Sequence, residues 1–260
     1  MSKIAKHIAS PKRAHLAVIA VWAAITAAAQ MIPTIPMLGT GSPFSFASVL
    51  APLSGIFFGP LYGALCAAAG GFVGSLISPH TGWLGPLTFI PGTVTSFVAG
   101  CAAWSRWPAA RLNGRGDLVV NGGVIALLLG AGLWFSHETG RSVPLLPLVF
   151  YGAGLVALLA ASAFAARTLA GGRVALKFPA LTLCAFAGMA GGGGAGNFLA
   201  LALRDLPPAI WAPLTFIQPA ERLAFALCAA FIALPLLESL PKIGVRVGPQ
   251  LAERDPPEDG

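Results

Sequence analysis

Phe46-Ala47-Ser48-Val49-Leu50-Ala51-Pro52-Leu53-Ser54-Gly55-Ile56-Phe57-Phe58-Gly59-Pro60-Leu61-Tyr62-Gly63-Ala64-Leu65 is an uncharged run broken by Gly59-Pro60. A helix needs about 20 residues to cross the hydrocarbon core. The run is therefore one long broken helix or two short spans joined by a turn. Pro stops a helix and Gly permits the reversal, so the pair reads as a tight cytoplasmic turn between spans at 44–58 and 61–78. Six further apolar stretches accompany them, at 14–32, 86–104, 118–136, 144–167, 180–203 and 211–237. The turn gives eight spans in all, and a broken helix gives seven.

The cations decide between these counts. Of the 16 Lys and Arg residues, 13 fall at four places. Lys3, Lys6, Lys12 and Arg13 precede the first span, and Arg106, Arg111 and Arg115 lie between the fourth and fifth. Arg167, Arg173 and Lys177 lie between the sixth and seventh, and Lys242, Arg246 and Arg254 follow the eighth. Arg141, Arg204 and Arg222 fall in or beside the opposite gaps. Positive charge stays on the cytoplasmic side, so eight spans put both termini in the cytoplasm, whereas seven would place one cationic terminus outside.

The expectation is an all-α polytopic bundle of about eight transmembrane helices in a cell membrane. Its parts are a basic cytoplasmic N-terminus (1–13), a first four-helix half (14–117), a second (118–241), and a disordered cytoplasmic tail (242–260). The chain is 56% hydrophobic and 10% charged, far more apolar than a soluble domain of its length requires. The net charge of +7 sits where topology demands it, with no basic stretch interleaved with aromatics, which argues against nucleic acid as a partner. The first span, ending in Ala27-Ala28-Ala29, imitates a secretory signal, but seven spans follow it and it reads as a retained helix.

The halves are related by an internal repeat. Pro86-Leu87-Thr88-Phe89-Ile90 recurs as Pro213-Leu214-Thr215-Phe216-Ile217, an offset of 127. At that offset Ala99 matches Ala226, and Cys101-Ala102-Ala103 matches Cys228-Ala229-Ala230. The small-residue run from Gly63 to Gly74 resembles that from Gly188 to Gly196. Two four-helix halves related by an axis along the membrane normal are the simplest account, and duplicated halves commonly enclose a site.

Glu221 and Arg222 are the sharpest chemical signal. They lie about ten residues inside the eighth span, which at about 1.5 Å per residue is near mid-bilayer. A charge at that depth marks a functional site by default; the bland reading is an ion pair fastening helices, or a span that starts later. The aligned residues of the first half are Val94 and Thr95, so the fold does not require charge there. Pro219 frees the Thr215 carbonyl, and Gln218 offers a neutral hydrogen-bonding group beside it. Gly191-Gly192-Gly193-Gly194-Ala195-Gly196-Asn197 is read first as close helix packing, with Asn197 a cap or a ligand contact. Trp83 and Trp211 are expected at the mouth of a cavity, as stacking residues or belt anchors. His80 belongs to the same outer gaps and reads first as an ordinary surface residue, with the alternative that the 33–46 and 79–85 loops form a lid over a site.

Enzymatic chemistry finds no support. Glu221 and the edge residue Glu238 are the acidic residues within these spans, and Ser54, Ser75, Ser96 and Ser162 have no candidate base. Cys66, Cys101, Cys184 and Cys228 lie in apolar spans without CxxC spacing, as packing residues rather than metal ligands. No catalytic residue, metal or cofactor is expected.

The stretch from Phe46 to Leu65, with its Phe-Gly-Pro helix end followed by Gly-Ala and a third helix, resembles the substrate-binding S components of energy-coupling-factor vitamin transporters. The first span fits, with alanines spaced by four at Ala20/Ala24, Ala23/Ala27 and Ala24/Ala28. The resemblance covers roughly residues 14–104. It implies a receptor for a small, vitamin-like solute, closed outside by the loop after the first helix, and dependent on a transmembrane T component and two cytoplasmic ATPases. It also implies that the alanines of the first helix face the T component. S components usually have six helices, so eight is a departure. A sensor or scaffold, or a self-contained transporter, are the readings from other classes. The expected substrate site comprises Glu221, Arg222, Gln218, Asn197, Trp83, Trp211 and His80.

Overall fold

The computed structural model describes residues 16–37, 42–106, 117–171, 173–204, 206–245 and 247–249. The basic segment 1–13, Arg111, Arg115, Arg246 and the tail from 250 lie outside the described residues, and much of the orientation argument rests on them. Eight principal helices are present: α1 (Leu16–Ala29), α2 (Ala47–Phe58), α3 (Pro60–Ile77), α4 (Phe89–Trp104), α5 (Leu118–Ser136), α6 (Gly152–Gly171), α7 (Val174–Arg204) and α8 (Pro208–Ser239). A 3-10 turn, Gly85–Thr88, leads into α4, and a π-helical turn, Pro147–Tyr151, leads into α6. With these turns, α3 to α8 are each long and apolar enough to cross a membrane. α1 and α2 are shorter, at 14 and 12 residues.

The expected second span, 44–58, is only partly helical. Pro43–Ser45 forms strand β2, paired antiparallel with β1 (Pro33–Pro36), and the helix begins at Ala47. The shortness of α2 has a physical reason. Nearly all its residues are buried, enclosed by α1, α3, α4, α7 and α8, so lipid thickness does not set its length.

Gly59 makes the reversal between α2 and α3. Its φ of 86° is open to Gly at little cost, and its N–H still donates to the Gly55 carbonyl at 2.9 Å. Pro60 then opens α3 at a position where its missing N–H costs nothing. A Cβ on Gly63 would stand 2.5 Å from Gly55 Cα, so the helices run back along each other. They are two helices, not one broken helix.

Glycine sets the packing elsewhere too. α4 and α7 form the most extensive helix pair. A Cβ on Gly188 would lie 2.5 Å from the Thr95 carbonyl oxygen, and one on Gly191 would lie 2.8 Å from Val98 Cγ2. A Cβ on Gly192 would overlap Thr95 and Pro91. The glycine-rich run is thus a helix crossing, as its packing reading expected. α1 docks on α3 in the same manner, with Gly70 against the Ala23 carbonyl.

Polar groups fasten the ends. Asp117 caps α5 by accepting from Val119 N at 2.9 Å, and it also accepts from the Ser105 hydroxyl and, at 2.7 Å, from Arg106 N. Lys177, near the start of α7, is paired with Glu238, near the end of α8, at 2.5 Å. Glu238 is therefore a structural partner. Of the repeat copies, Pro86 opens a 3-10 turn, whereas Pro213 sits inside α8.

Gly55→Ala forces a methyl into the Ser96 carbonyl, whereas Gly132 has open space around it. The first substitution should destabilise by roughly 1–3 kcal/mol, the usual cost of overpacking. Gly132→Ala should be neutral or stabilising. Thermal unfolding of both variants in one detergent checks this.

Candidate functional site

A cavity opens between the β1–β2 hairpin, the segment from Thr81 to Thr95, the glycine-rich face of α7 and the outer part of α8. The space open to the centres of water-sized molecules is about 130 Å³. Six of the seven sequence-expected site residues line it: Glu221, Arg222, Gln218, Asn197, Trp83 and Trp211. His80 does not. It is exposed on the outer loop, with a ring nitrogen 3.3 Å from Ser78 Oγ, because Ser78 and Thr81 turn the loop inward on either side of it.

The polar wall is built by α7 and α8. Asn197 Nδ2 donates to Gln218 Oε1 at 3.0 Å, and Gln218 Nε2 donates back to Asn197 Oδ1 at 2.9 Å. Asn197 Nδ2 also lies 3.0 Å from the Tyr151 hydroxyl. The two amides are 7% exposed, and their reciprocal pairing holds them in one orientation while leaving hydrogen-bonding capacity on Gln218. Tyr151, from the π-helical turn, was not singled out by sequence reasoning. Such turns often mark functional sites, but a sequence gives little sign of them.

Arg222 and Glu221 sit on the wall nearest the hairpin. The Arg222 guanidinium lies 4.4 Å from the centroid of the Phe44 ring, and Phe44 also packs edge-to-face against Phe225 at 5.5 Å. A cation over a desolvated ring is worth about 2 kcal/mol. Arg222 Nε is buried without an acceptor. Among the described residues the ion pair is Lys177–Glu238, so Glu221 and Arg222 do not form the helix-fastening pair that was the bland alternative.

The tryptophans differ. Trp83 is half-buried beside the cavity. Trp211 is 2% exposed, packs edge-to-face on Trp134 at 4.9 Å and donates to the Leu206 carbonyl at 3.1 Å. It is a fixed wall, not a residue at the mouth, because its ring and its N–H are both already engaged.

The hairpin and the 78–81 loop are tied down by Gln30, which sequence reasoning also missed. Ser45 donates to Gln30 Oε1 at 2.8 Å, and the Gln30 carbonyl accepts from Thr81 at 2.9 Å and from Ser78 at 3.2 Å. One residue thus joins the end of α1, the hairpin and the 78–81 loop.

The alanines of α1 split between two faces. Ala20, Ala24 and Ala28 are exposed in one stripe. Ala23 is half-buried and Ala27 is buried, because both turn toward α3, where Gly70 and Gly74 approach their carbonyls. Ala27 is therefore an internal packing residue and not available to a partner.

Residues 12–134 match the family model of the ECF-type riboflavin transporter, S component. Over that segment the chain is similar to an energy-coupling-factor S component. No curated protein and no solved structure matches. The S-component match takes in the hairpin and α1 to α5, ending at Trp134. Trp83 lies within it, but Asn197, Gln218, Glu221 and Arg222 lie beyond it. The hairpin thus lies inside the matched segment, while the polar wall of the cavity comes from the rest of the chain.

Gln30→Leu removes the amide that Ser45 and Thr81 share. Hydrogen exchange of the hairpin amides of Thr34, Ile35, Phe44 and Ser45 should speed up by at least tenfold, while α4 and α7 amides stay unchanged. Equal exchange in the variant would show that the hairpin is held by other contacts.

Proposed function

We propose that the protein is the substrate-binding subunit of an uptake system for a small, vitamin-like organic solute, received from outside the cell membrane into the cavity beneath the hairpin. The observation that carries this reading is the cavity with converging polar groups, beside a hairpin that lies within the S-component match. Asn197 and Gln218 supply hydrogen bonds, Glu221 and Arg222 read charge, and Trp83 and Phe89 pack against the body of the solute. In this reading all eight helices span the bilayer in two halves with both termini cytoplasmic. The family name makes riboflavin the first solute to test.

An S component has no engine of its own, so the reading includes a transmembrane T component and two cytoplasmic ATPases. The exposed stripe of Ala20, Ala24 and Ala28 is the proposed contact with the T component, since small residues let helices approach closely in lipid.

Native mass spectrometry of the gently extracted protein should show a bound metabolite. Gln218→Leu strands Asn197 inside the wall and should weaken binding of that metabolite, or of riboflavin, by tenfold or more. Affinity unchanged in both Gln218→Leu and Asn197→Leu would move the site elsewhere. Ala24→Trp should abolish cellular uptake and leave solute binding by the purified protein intact. Uptake that persists without any ATPase partner would favour a self-contained carrier.

A further inference from the structure

We infer that the solute of this cavity is an organic monoanion, a carboxylate on a compact body, and that Arg222 is the residue that selects it. The inference rests on the cavity being the solute site, and it goes further by fixing the charge of what enters.

Arg222 brings a full positive charge to the cavity wall, at a depth where water is scarce. One face of its guanidinium is covered by Phe44. Its Nε is buried without an acceptor, and no described carboxylate pairs with it. Glu221 lines the same cavity, but neighbours in a helix point about 100° apart, so it does not neutralise the guanidinium by contact. A half-buried cation whose Nε lacks an acceptor is costly to desolvate, and an anion in the cavity would offset that cost. A guanidinium stacked on a ring presents its edge, and that edge matches the two oxygens of a carboxylate.

Glu221 sets the upper limit on charge. A dianion such as a phosphate monoester would bring two negative charges beside it, whereas a carboxylate brings one. A neutral solute would leave Arg222 with no charge partner in direct contact, since Glu221 lines the cavity without pairing to it. The amide edge of Gln218, one helical turn from Arg222, then reads a neutral hydrogen-bonding group on the body. None of these polar residues lies within the matched segment 12–134, so the solute in the family's name does not determine what they recognise.

The test is calorimetric titration of the full-length protein in nanodiscs with matched acids and amides: nicotinate and nicotinamide, biotin and biotinamide, lipoate and lipoamide, with riboflavin as a neutral comparator. At least one acid should bind about ten- to a hundred-fold more tightly than its amide, as expected for a charge-assisted hydrogen-bonded pair. Arg222→Gln should remove that discrimination, and Arg222→Lys should retain part of it. Glu221→Gln should strengthen binding of the acid severalfold, an effect that folding damage does not produce. A neutral compound bound as tightly as any acid, or discrimination that survives in Arg222→Gln, overturns the inference. If riboflavin binds and Gln218→Leu weakens it, the inference falls and the solute-site reading stands. If neither acids nor neutral compounds bind the folded protein, both fall.

Discussion

The close crossing of α4 and α7 is the constraint on which the rest depends. In lipid no hydrophobic force drives helices together, so association rests on packing and hydrogen bonding. Gly188, Gly191 and Gly192 supply the packing by letting α7 reach the backbone of α4 between Pro91 and Val98. Only with the helices this near does the buried α2 find its place between them, since Gly55 must meet Ser96 and Gly100 must meet Pro60 at the turn. The same glycine face has a second use. Gly192, Gly193 and Gly196 line the cavity, so the surface that brings the helices together also leaves room beside them.

The lid is held on two sides by different physics. On the α1 side Gln30 ties the hairpin through neutral hydrogen bonds to Ser45 and Thr81. On the α8 side Phe44 sits between a guanidinium and the ring of Phe225. The second attachment shares its cation with the cavity. An anion drawn to Arg222 therefore contacts the same group that holds Phe44, which places solute recognition and the lid one residue apart.

Much of the helix order was legible in the sequence because each long apolar run reports on its own. Gly59-Pro60 was legible for the same reason, since a turn is local chemistry. The hairpin was not, because its two short strands carry three prolines and look like stiff loop. Asn197 and Gln218 stood out as polar residues in apolar surroundings, although their pairing was not visible. Gln30 and Tyr151 gave no such signal. Gln30 lies at a helix end, where polar residues are ordinary, and its role arises only when Thr81, distant in sequence, folds against it. The four-residue spacing on α1 identified small residues but not their faces. Only contact with α3 separates Ala23 and Ala27 from the exposed Ala20, Ala24 and Ala28.

The repeat offset gives a way to ask which features of the site the architecture imposes. At 127 residues apart, Pro91 corresponds to Gln218 and Thr95 to Arg222, and all four line the cavity. The correspondence is not complete, since Phe89 lines the cavity while its counterpart Phe216 is 71% exposed. At the two shared positions one half carries Pro and Thr, the other Gln and Arg. Pro91 and Thr95 lie at the close crossing with α7, where small size matters. Gln218 instead reaches α7 through its side-chain amide, which pairs with Asn197. At the offset position, the uncharged Thr95 packs against α7 without any charge. The guanidinium therefore stands at a position where the other copy carries a small uncharged residue, and among the described residues it makes no ion pair within contact distance.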